Sequence, residues 1–181
     1  MKFLQTALAG AWIIEPELVG DDRGFFARTF CEQEFAAQGL EIHFPQHSMS
    51  YNKHKGTLRG LHYQAAPNTE TKIVRCSAGA IFDVIVDLRM GSASFGRWIA
   101  VELTAENHRM LYVPRGFAHG FQTLVEACEV SYQISVEYNL TGARGLRYDD
   151  PALAIVWPLP VSIMSRRDRS LPTLADINMD C

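Results

Sequence analysis

Arg59-Gly60-Leu61-His62 closes an apolar run with a permanently charged fork of donors and, three residues later, a side chain able to act as a base near neutral pH. Within Gly56-Thr57-Leu58-Arg59-Gly60-Leu61-His62-Tyr63-Gln64 this offers an anion clamp beside a proton acceptor. A second segment, Tyr112-Val113-Pro114-Arg115-Gly116-Phe117-Ala118-His119-Gly120-Phe121, again sets a histidine at a strand end. Lys72 opens the next apolar run, and Tyr132 and Tyr138 fall on one face of an alternating stretch. A base, a cation and a phenol around one cavity are what proton transfer beside a carbonyl requires. The base takes a proton from carbon, the cation holds the enolate oxygen, and the phenol returns a proton from elsewhere, such as the opposite face. Taken alone, His62 reads better as a buried histidine satisfied by a hydrogen bond; the company of Arg59, Lys72 and the tyrosines favours chemistry.

Short strands must position these groups. Val130, Tyr132, Ile134, Val136 and Tyr138 alternate with Glu129, Ser131, Gln133, Ser135 and Glu137, so the first set faces inward and both tyrosines enter one enclosed space. Residues 12–16, 72–76 and 98–103 read as strands, Ser77-Ala78-Gly79 as a turn, and 80–88 as the strand returning from it. Residues 31–38 read as a helix stopped by Gly39. Ser165-x-x-Asp168 resembles a capping box opening a short helical turn. Many short strands and few helices predict an all-β sandwich or closed barrel. Asp83 sits in an otherwise apolar strand, where an unpaired carboxylate is costly, so it needs a partner and is a candidate to orient His62.

The 181 residues are expected to form one domain, residues 1–181, and 48% hydrophobic content is enough for a real core. A net charge of −3 gives no electrostatic case for nucleic acid or an anionic membrane. No apolar run approaches spanning length. The 17 basic residues comprise 13 arginines and 4 lysines, a bias toward fork-like contacts to phosphate or carboxylate. Cys31, Cys76, Cys128 and Cys181 form no CxxC pair and read as free thiols in a reducing cytoplasm. The apolar start is broken by Gln5 and Thr6, which argues against a secretory signal.

With Asp21-Asp22-Arg23-Gly24-Phe25-Phe26, Ile81-Phe82-Asp83-Val84-Ile85-Val86-Asp87-Leu88-Arg89 and Ser165-Arg166-Arg167-Asp168, the two histidine segments resemble the dTDP-4-dehydrorhamnose 3,5-epimerase family, in matching order to the end of the chain. The resemblance implies a cupin-type jelly roll, a double-stranded β-helix with its pocket inside. It implies a nucleotide-diphosphate 4-keto-6-deoxyhexose as substrate and no cofactor, because the C4 ketone already acidifies the protons at C3 and C5. His62 is then the base, Asp168 its orienting carboxylate, Lys72 the enolate cation and Tyr132 the acid. Arg23, Phe26, Gln46, Ser48, Arg59, His119, Tyr138 and Arg167 match substrate-contacting positions. The N-terminal strands pack across a homodimer in the family, so Arg23 and Phe26 are expected to serve the partner's pocket.

Many cupins carry a metal on clustered histidines and a glutamate. Pro114-x-Gly116-x-x-His119 fits the later part of that pattern, but Gln64 follows His62 on the inward face and Glu70 lies in a turn-like stretch with Pro67 and Asn68. Two histidines without a third ligand make a poor metal site, so no metal is expected. The chain departs from the epimerase pattern at Arg28 and Ala143, where the family has glutamate, and near Ser48, where it has asparagine. These lie outside the proton-transfer set and bear on the carrier nucleotide, thymidine by default and cytidine otherwise. Relatives that invert only C3 or only C5 can keep the same base and acid. A sugar-binding jelly roll without catalysis is the non-enzyme alternative, and a metal-dependent cupin a third.

Overall fold

Period-two patterning dominates the chain, and the fold is built accordingly from strands. A computed structural model describes residues 1–177; Cys181 lies outside them. In chain order the strands are β1 (Lys2–Gln5), β2 (Trp12–Glu15), β3 (Leu18–Asp21), β4 (Gly24–Ala27), β5 (Gln46–Asn52), β6 (Leu58–Gln64), β7 (Lys72–Ala78), β8 (Ala80–Asp87), β9 (Trp98–Thr104), β10 (Met110–Val113), β11 (Phe117–Thr123), β12 (Cys128–Ile134) and β13 (Ala143–Gly145). The helices among the described residues are α1 (Glu32–Ala37) and the single turn α2 (Arg166–Arg169).

Two antiparallel sheets face each other as a jelly roll. One runs β1-β2-β10-β7-β12-β5 and the other β13-β6-β11-β8-β9. Between them pack Val74, Cys76, Leu111, Val113 and Val130 from the first sheet, and Ile81, Ile85, Leu103, Phe117 and Phe121 from the second. Each large apolar side chain so buried contributes about 1.5–3 kcal/mol. Outside the six-stranded sheet, Phe35 of α1 packs on Ile14, Ile73, Met110 and Tyr112. Outside the five-stranded sheet, Leu146, Leu153 and Trp157 cover Val84 and Val86. Strand β8 is thus apolar on both faces, which explains its nearly unbroken hydrophobic run. The far end of the six-stranded sheet is left open, with Met49 and Tyr51 exposed on edge strand β5. Strands β3 and β4 form a separate hairpin whose Leu18, Val19, Phe25 and Phe26 are exposed.

Both expected helices form. α1 is capped by Cys31 and Gln38, and Gly39 follows at φ +68°. Ser165 Oγ accepts the backbone N–H of Asp168, but the Asp168 carboxylate is engaged by His62 instead of closing a capping box. Two readings of the strands are corrected. Residues 77–79 do not make a hairpin: β7 and β8 lie in opposite sheets, and Gly79, at φ +79°, is the corner between them. A Cβ there would sit 2.7 Å from Cys128 Sγ. The alternating stretch does not run to 138 either. β12 stops at Ile134, and the chain bends at Ser135, which is buried and held to Thr71, its N–H donating to Thr71 O at 3.0 Å and its hydroxyl accepting the Thr71 N–H at 2.8 Å. Tyr138 therefore lies beyond the strand, and it is exposed.

Candidate active site

Arg59 and His62 would point to opposite faces of a regular strand, since side chains alternate with period two. They share a face because β6 carries an extra residue against β11. His119 pairs with His62 and Phe121 with Arg59, so two steps on β11 span three on β6. Such a bulge re-aims side chains. Glycine permits it: Gly60 has φ +113°, and a Cβ on it would lie 2.6 Å from Gly120 Cα.

The bulge opens onto a cavity of about 340 Å³ between the sheets, walled by Ser48, Ser50, Arg59, His62, Gln64, Glu70, Lys72, His119, Tyr132, Tyr138, Ala143, Arg144 and Arg167 among others. His62 and His119 come from the five-stranded sheet, and Lys72 and Tyr132 from the six-stranded one. His62 and Tyr132 thus stand on opposite walls. A second cavity, of about 400 Å³, involves the outer face of the six-stranded sheet, with Ile73, Arg75, Met110, Ser131 and Gln133 in its walls.

Two carboxylates were rivals for His62, and each has its own histidine. His62 Nε2 lies 2.8 Å from Asp168 Oδ1, and Asp168 Oδ2 accepts the Gly60 N–H at 3.3 Å. Burial alone raises the Asp168 pKa, but the bonds and charge of His62, with Gly60 and Ser165, outweigh it and hold the carboxyl below its ordinary value. An ionised Asp168 accepts the Nε2–H and leaves Nδ1 as the basic nitrogen of the ring. His119 Nε2 lies 2.7 Å from Asp83 Oδ1, with both side chains at or below 5% exposure. Burial dominates there and pushes the Asp83 carboxyl up, against the opposing pull of His119 and Lys72. Asp83 Oδ2 has no hydrogen-bond partner.

Burial likewise raises the Tyr132 phenol well above its ordinary value, helped by the Asp83 charge and opposed by Ser50 and Arg59. Its hydroxyl has a long 3.5 Å contact to Ser50 Oγ, and its ring stands edge-on to His119. A phenol so placed keeps its proton and stands in the cavity as the neutral acid. Lys72 is buried and pairs with Glu70 at 2.7 Å. Arg59 Nε donates to Asn52 Oδ1 at 2.6 Å, which aims the guanidinium.

Of the residues singled out in sequence, His62, Lys72, Tyr132, Ser48, Arg59, His119, Tyr138 and Arg167 meet at this cavity, and Asp168 stands behind His62. Gln46 is adjacent, its Oε1 accepting the Tyr138 N–H at 2.9 Å. Arg23 and Phe26 do not reach it: they sit on the β3–β4 hairpin, exposed, with Arg23 paired to Asp21. Ala143 and Ser48 border the cavity, whereas Arg28 pairs with Glu34 of α1. Sequence reasoning missed Ser50, Asn52 and Glu70. Ser50 and Asn52 share the Ser48 face of β5 by simple alternation, a signal that was readable. Among the described residues, no group of three or more His, Cys, Asp or Glu side chains is placed to hold a metal ion.

Residues 5–176 match the family model described as dTDP-4-dehydrorhamnose 3,5-epimerase. The enzyme of that name from Methanothermobacter thermautotrophicus is 43% identical over 178 residues, covering 97% of this chain and 95% of its own. The crystal structure of the Bacillus anthracis dTDP-4-dehydrorhamnose 3,5-epimerase with TDP and PPi bound superposes with a TM-score of 0.93 at 43% identity, covering 96% of this chain and 99% of that one. The dTDP-6-deoxy-D-glucose-3,5-epimerase of Legionella pneumophila, solved with dTDP-4-keto-L-rhamnose, gives 0.92 at 38% identity, covering 98% and 94%. The chain belongs to the dTDP-4-dehydrorhamnose 3,5-epimerase family.

Proposed function

We propose that this epimerase acts on a dTDP-4-keto-6-deoxyhexose, inverting C3 and C5 in deoxysugar biosynthesis. The observation that carries the reading is the cavity with an aspartate-oriented histidine on one wall and a proton-holding phenol on the other. In the first half-reaction His62 takes the proton from the carbon beside the C4 ketone. The carbon–hydrogen electron pair moves into the enolate, whose oxygen faces the Lys72 ammonium. Tyr132 then gives its proton to the carbon from the opposite face, and solvent exchange restores both side chains. Inversion follows because donor and acceptor stand on opposite sheets.

Arg59 and Arg167 at the cavity wall, with His119, suit a diphosphate, which favours charge-assisted contacts. Tyr138 and Phe26 line the nucleotide end, and Gln46 and Ser48 are further substrate contacts. Arg23 and Phe26 take part through a homodimer. The exposed apolar hairpin β3–β4 and the open face of β5, with Met49 and Tyr51, support that assembly. Residues 1–181 act as one epimerase domain, consistent with the family match over 5–176. Cys31, Cys76 and Cys128 are free thiols, which suits a cytoplasmic enzyme. No helix among the described residues is long and apolar enough to cross a membrane.

The test is incubation with dTDP- and CDP-4-keto-6-deoxy sugars in deuterated water, followed by NMR of the product. Deuterium at both C3 and C5 of the dTDP sugar is expected. Label at one carbon alone makes the chain a mono-epimerase, and no label removes the catalytic reading. Mixed subunits of Arg23→Ala and His62→Ala should recover activity if the pocket is shared; no recovery in verified mixed dimers breaks the sharing.

A further inference from the structure

Lys72 carries a charge on a flexible four-carbon stem, yet the chemistry above needs its ammonium in one place. Its side chain is 11% exposed, and that of Glu70 is 10% exposed, with Glu70 Oε1 2.7 Å from Lys72 Nζ. Both line the cavity that holds His62 and Tyr132. The residue between them, Thr71, is pinned to Ser135 by two hydrogen bonds, 2.8 Å and 3.0 Å long, so the Glu70 backbone is anchored just past the end of β12.

Besides Tyr138, Arg144 and Arg167 at its wall, the cavity that Lys72 lines brings together charged and titratable groups from several elements. They are Glu70 in the preceding loop, Tyr132 on β12, Arg59 and His62 on β6, His119 on β11 and Asp83 on β8. Two of these are carboxylates. Asp83 is fully buried, and among the described residues its carboxylate bonds His119 through Oδ1 while Oδ2 has no partner. Glu70 makes its ion pair with Lys72. A buried ammonium without a paired anion is costly, and the geometry gives that task to Glu70.

We infer that Glu70 is a positioning residue for the epimerisation: it holds the Lys72 ammonium against the site where the enolate oxygen forms. This rests on the enolate role proposed for Lys72. Glu70 acts through Lys72 and exchanges no proton with the sugar. Its carboxylate occupies one direction around Nζ and leaves the other donors for the developing oxyanion. Misplacing such a cation by an ångström is felt in the chemical step and far less in ground-state binding.

The experiment is a double-mutant cycle between Glu70→Gln and Lys72→Met, read by carbon–deuterium exchange with steady-state constants and with folding checked by circular dichroism. Glu70→Gln keeps the shape and removes the charge. It is expected to lower kcat about 10- to 100-fold with KM changed less than about threefold, and Glu70→Asp to recover part of the loss. In the Lys72→Met background Glu70→Gln should cost nothing further, because its target is gone. A merely structural Glu70 would cost the same in both backgrounds, and that result overturns the inference. So does Glu70→Gln at wild-type kcat. Lys72→Met at wild-type rate removes the enolate role and the inference with it. A slow Lys72→Met beside a normal Glu70→Gln removes the inference alone.

Discussion

His62 and His119 are cross-strand partners on β6 and β11, each with an aspartate oxygen at nearly the same distance, 2.8 Å and 2.7 Å. The pairs share chemistry and differ in surroundings. Asp168 sits on a helical turn that caps the cavity, where Gly60 and Ser165 add donors, and its His62 is 40% exposed. Asp83 sits mid-strand in the core, has one unpartnered oxygen, and serves a His119 that is 5% exposed. Donors around the first carboxylate favour its charge, and burial of the second opposes it. The lesson is that distance does not make a catalytic dyad. The solvation and hydrogen bonds of the carboxylate decide whether the histidine can gain a proton, and here they favour His62 over His119 for the base role proposed above.

The sharpest way to break this contrast is to exchange the two histidines' fates. His62→Ala should fold normally and lose carbon–proton exchange by about two to four decades. A normal rate would move the base elsewhere, with His119 the first alternative. Asp168→Asn comes next. It keeps the shape but lets an amide donor face Nε2, and kcat should fall about 10- to 100-fold; an unchanged kcat would make the dyad incidental. Tyr132→Phe tests the opposite wall. Solvent deuterium should still enter, now with retention, while inversion stalls; an unchanged inversion rate assigns the donor role to Tyr138 or water.

The stabilities of the two dyads should respond to acid with opposite signs. Asp168 has a folded pKa below 3.8, so its contribution is full above that value and is lost as pH falls through the folded pKa. Asp83 has a folded pKa above 3.8, so it penalises folding at neutral pH, and the penalty fades on acidification. Urea unfolding at a series of pH values should therefore show Asp168→Asn losing to wild type most at neutral pH, with the gap closing in acid. Asp83→Asn should show the opposite trend, faring better against wild type at neutral pH than in acid, because it removes a charge that burial disfavours. A strongly destabilised Asp83→Asn would show that the buried pair is held as ions.

Much of this was legible from residue types and alternation. The strands, the helix before Gly39, the turn at Ser165 and the inward face of Tyr132 follow from period, punctuation and caps. The failures have local causes. Gly79 looked like a hairpin turn, because a glycine at positive φ serves a corner between sheets as readily as a tight turn. The alternation past Ile134 looked continuous, because nothing in the side-chain pattern announces that Ser135 will bond Thr71 and turn the chain. Glu70 was weighed only as a metal ligand and set aside because it lies in a turn-like stretch with Pro67 and Asn68, although its side chain is nearly buried against Lys72.

The sequence by itself determined the chemical inventory: two histidines, three arginines, a lysine, two tyrosines and two aspartates, most of them on or beside strands that must bury one face. It determined the family too, through motifs in a fixed order. Tertiary structure alone decided which groups meet. Arg59 and His62 share a face only because Gly60 packs against Gly120 and admits an extra residue into the ladder. Asp168, 106 residues from His62, reaches it only because the α2 turn lies beside β6. Asp83 is taken by His119 through the pairing of β8 with β11. Those are contacts between strands and a helical turn far apart in the chain, and local pattern carries no information about which distant neighbour a side chain will find.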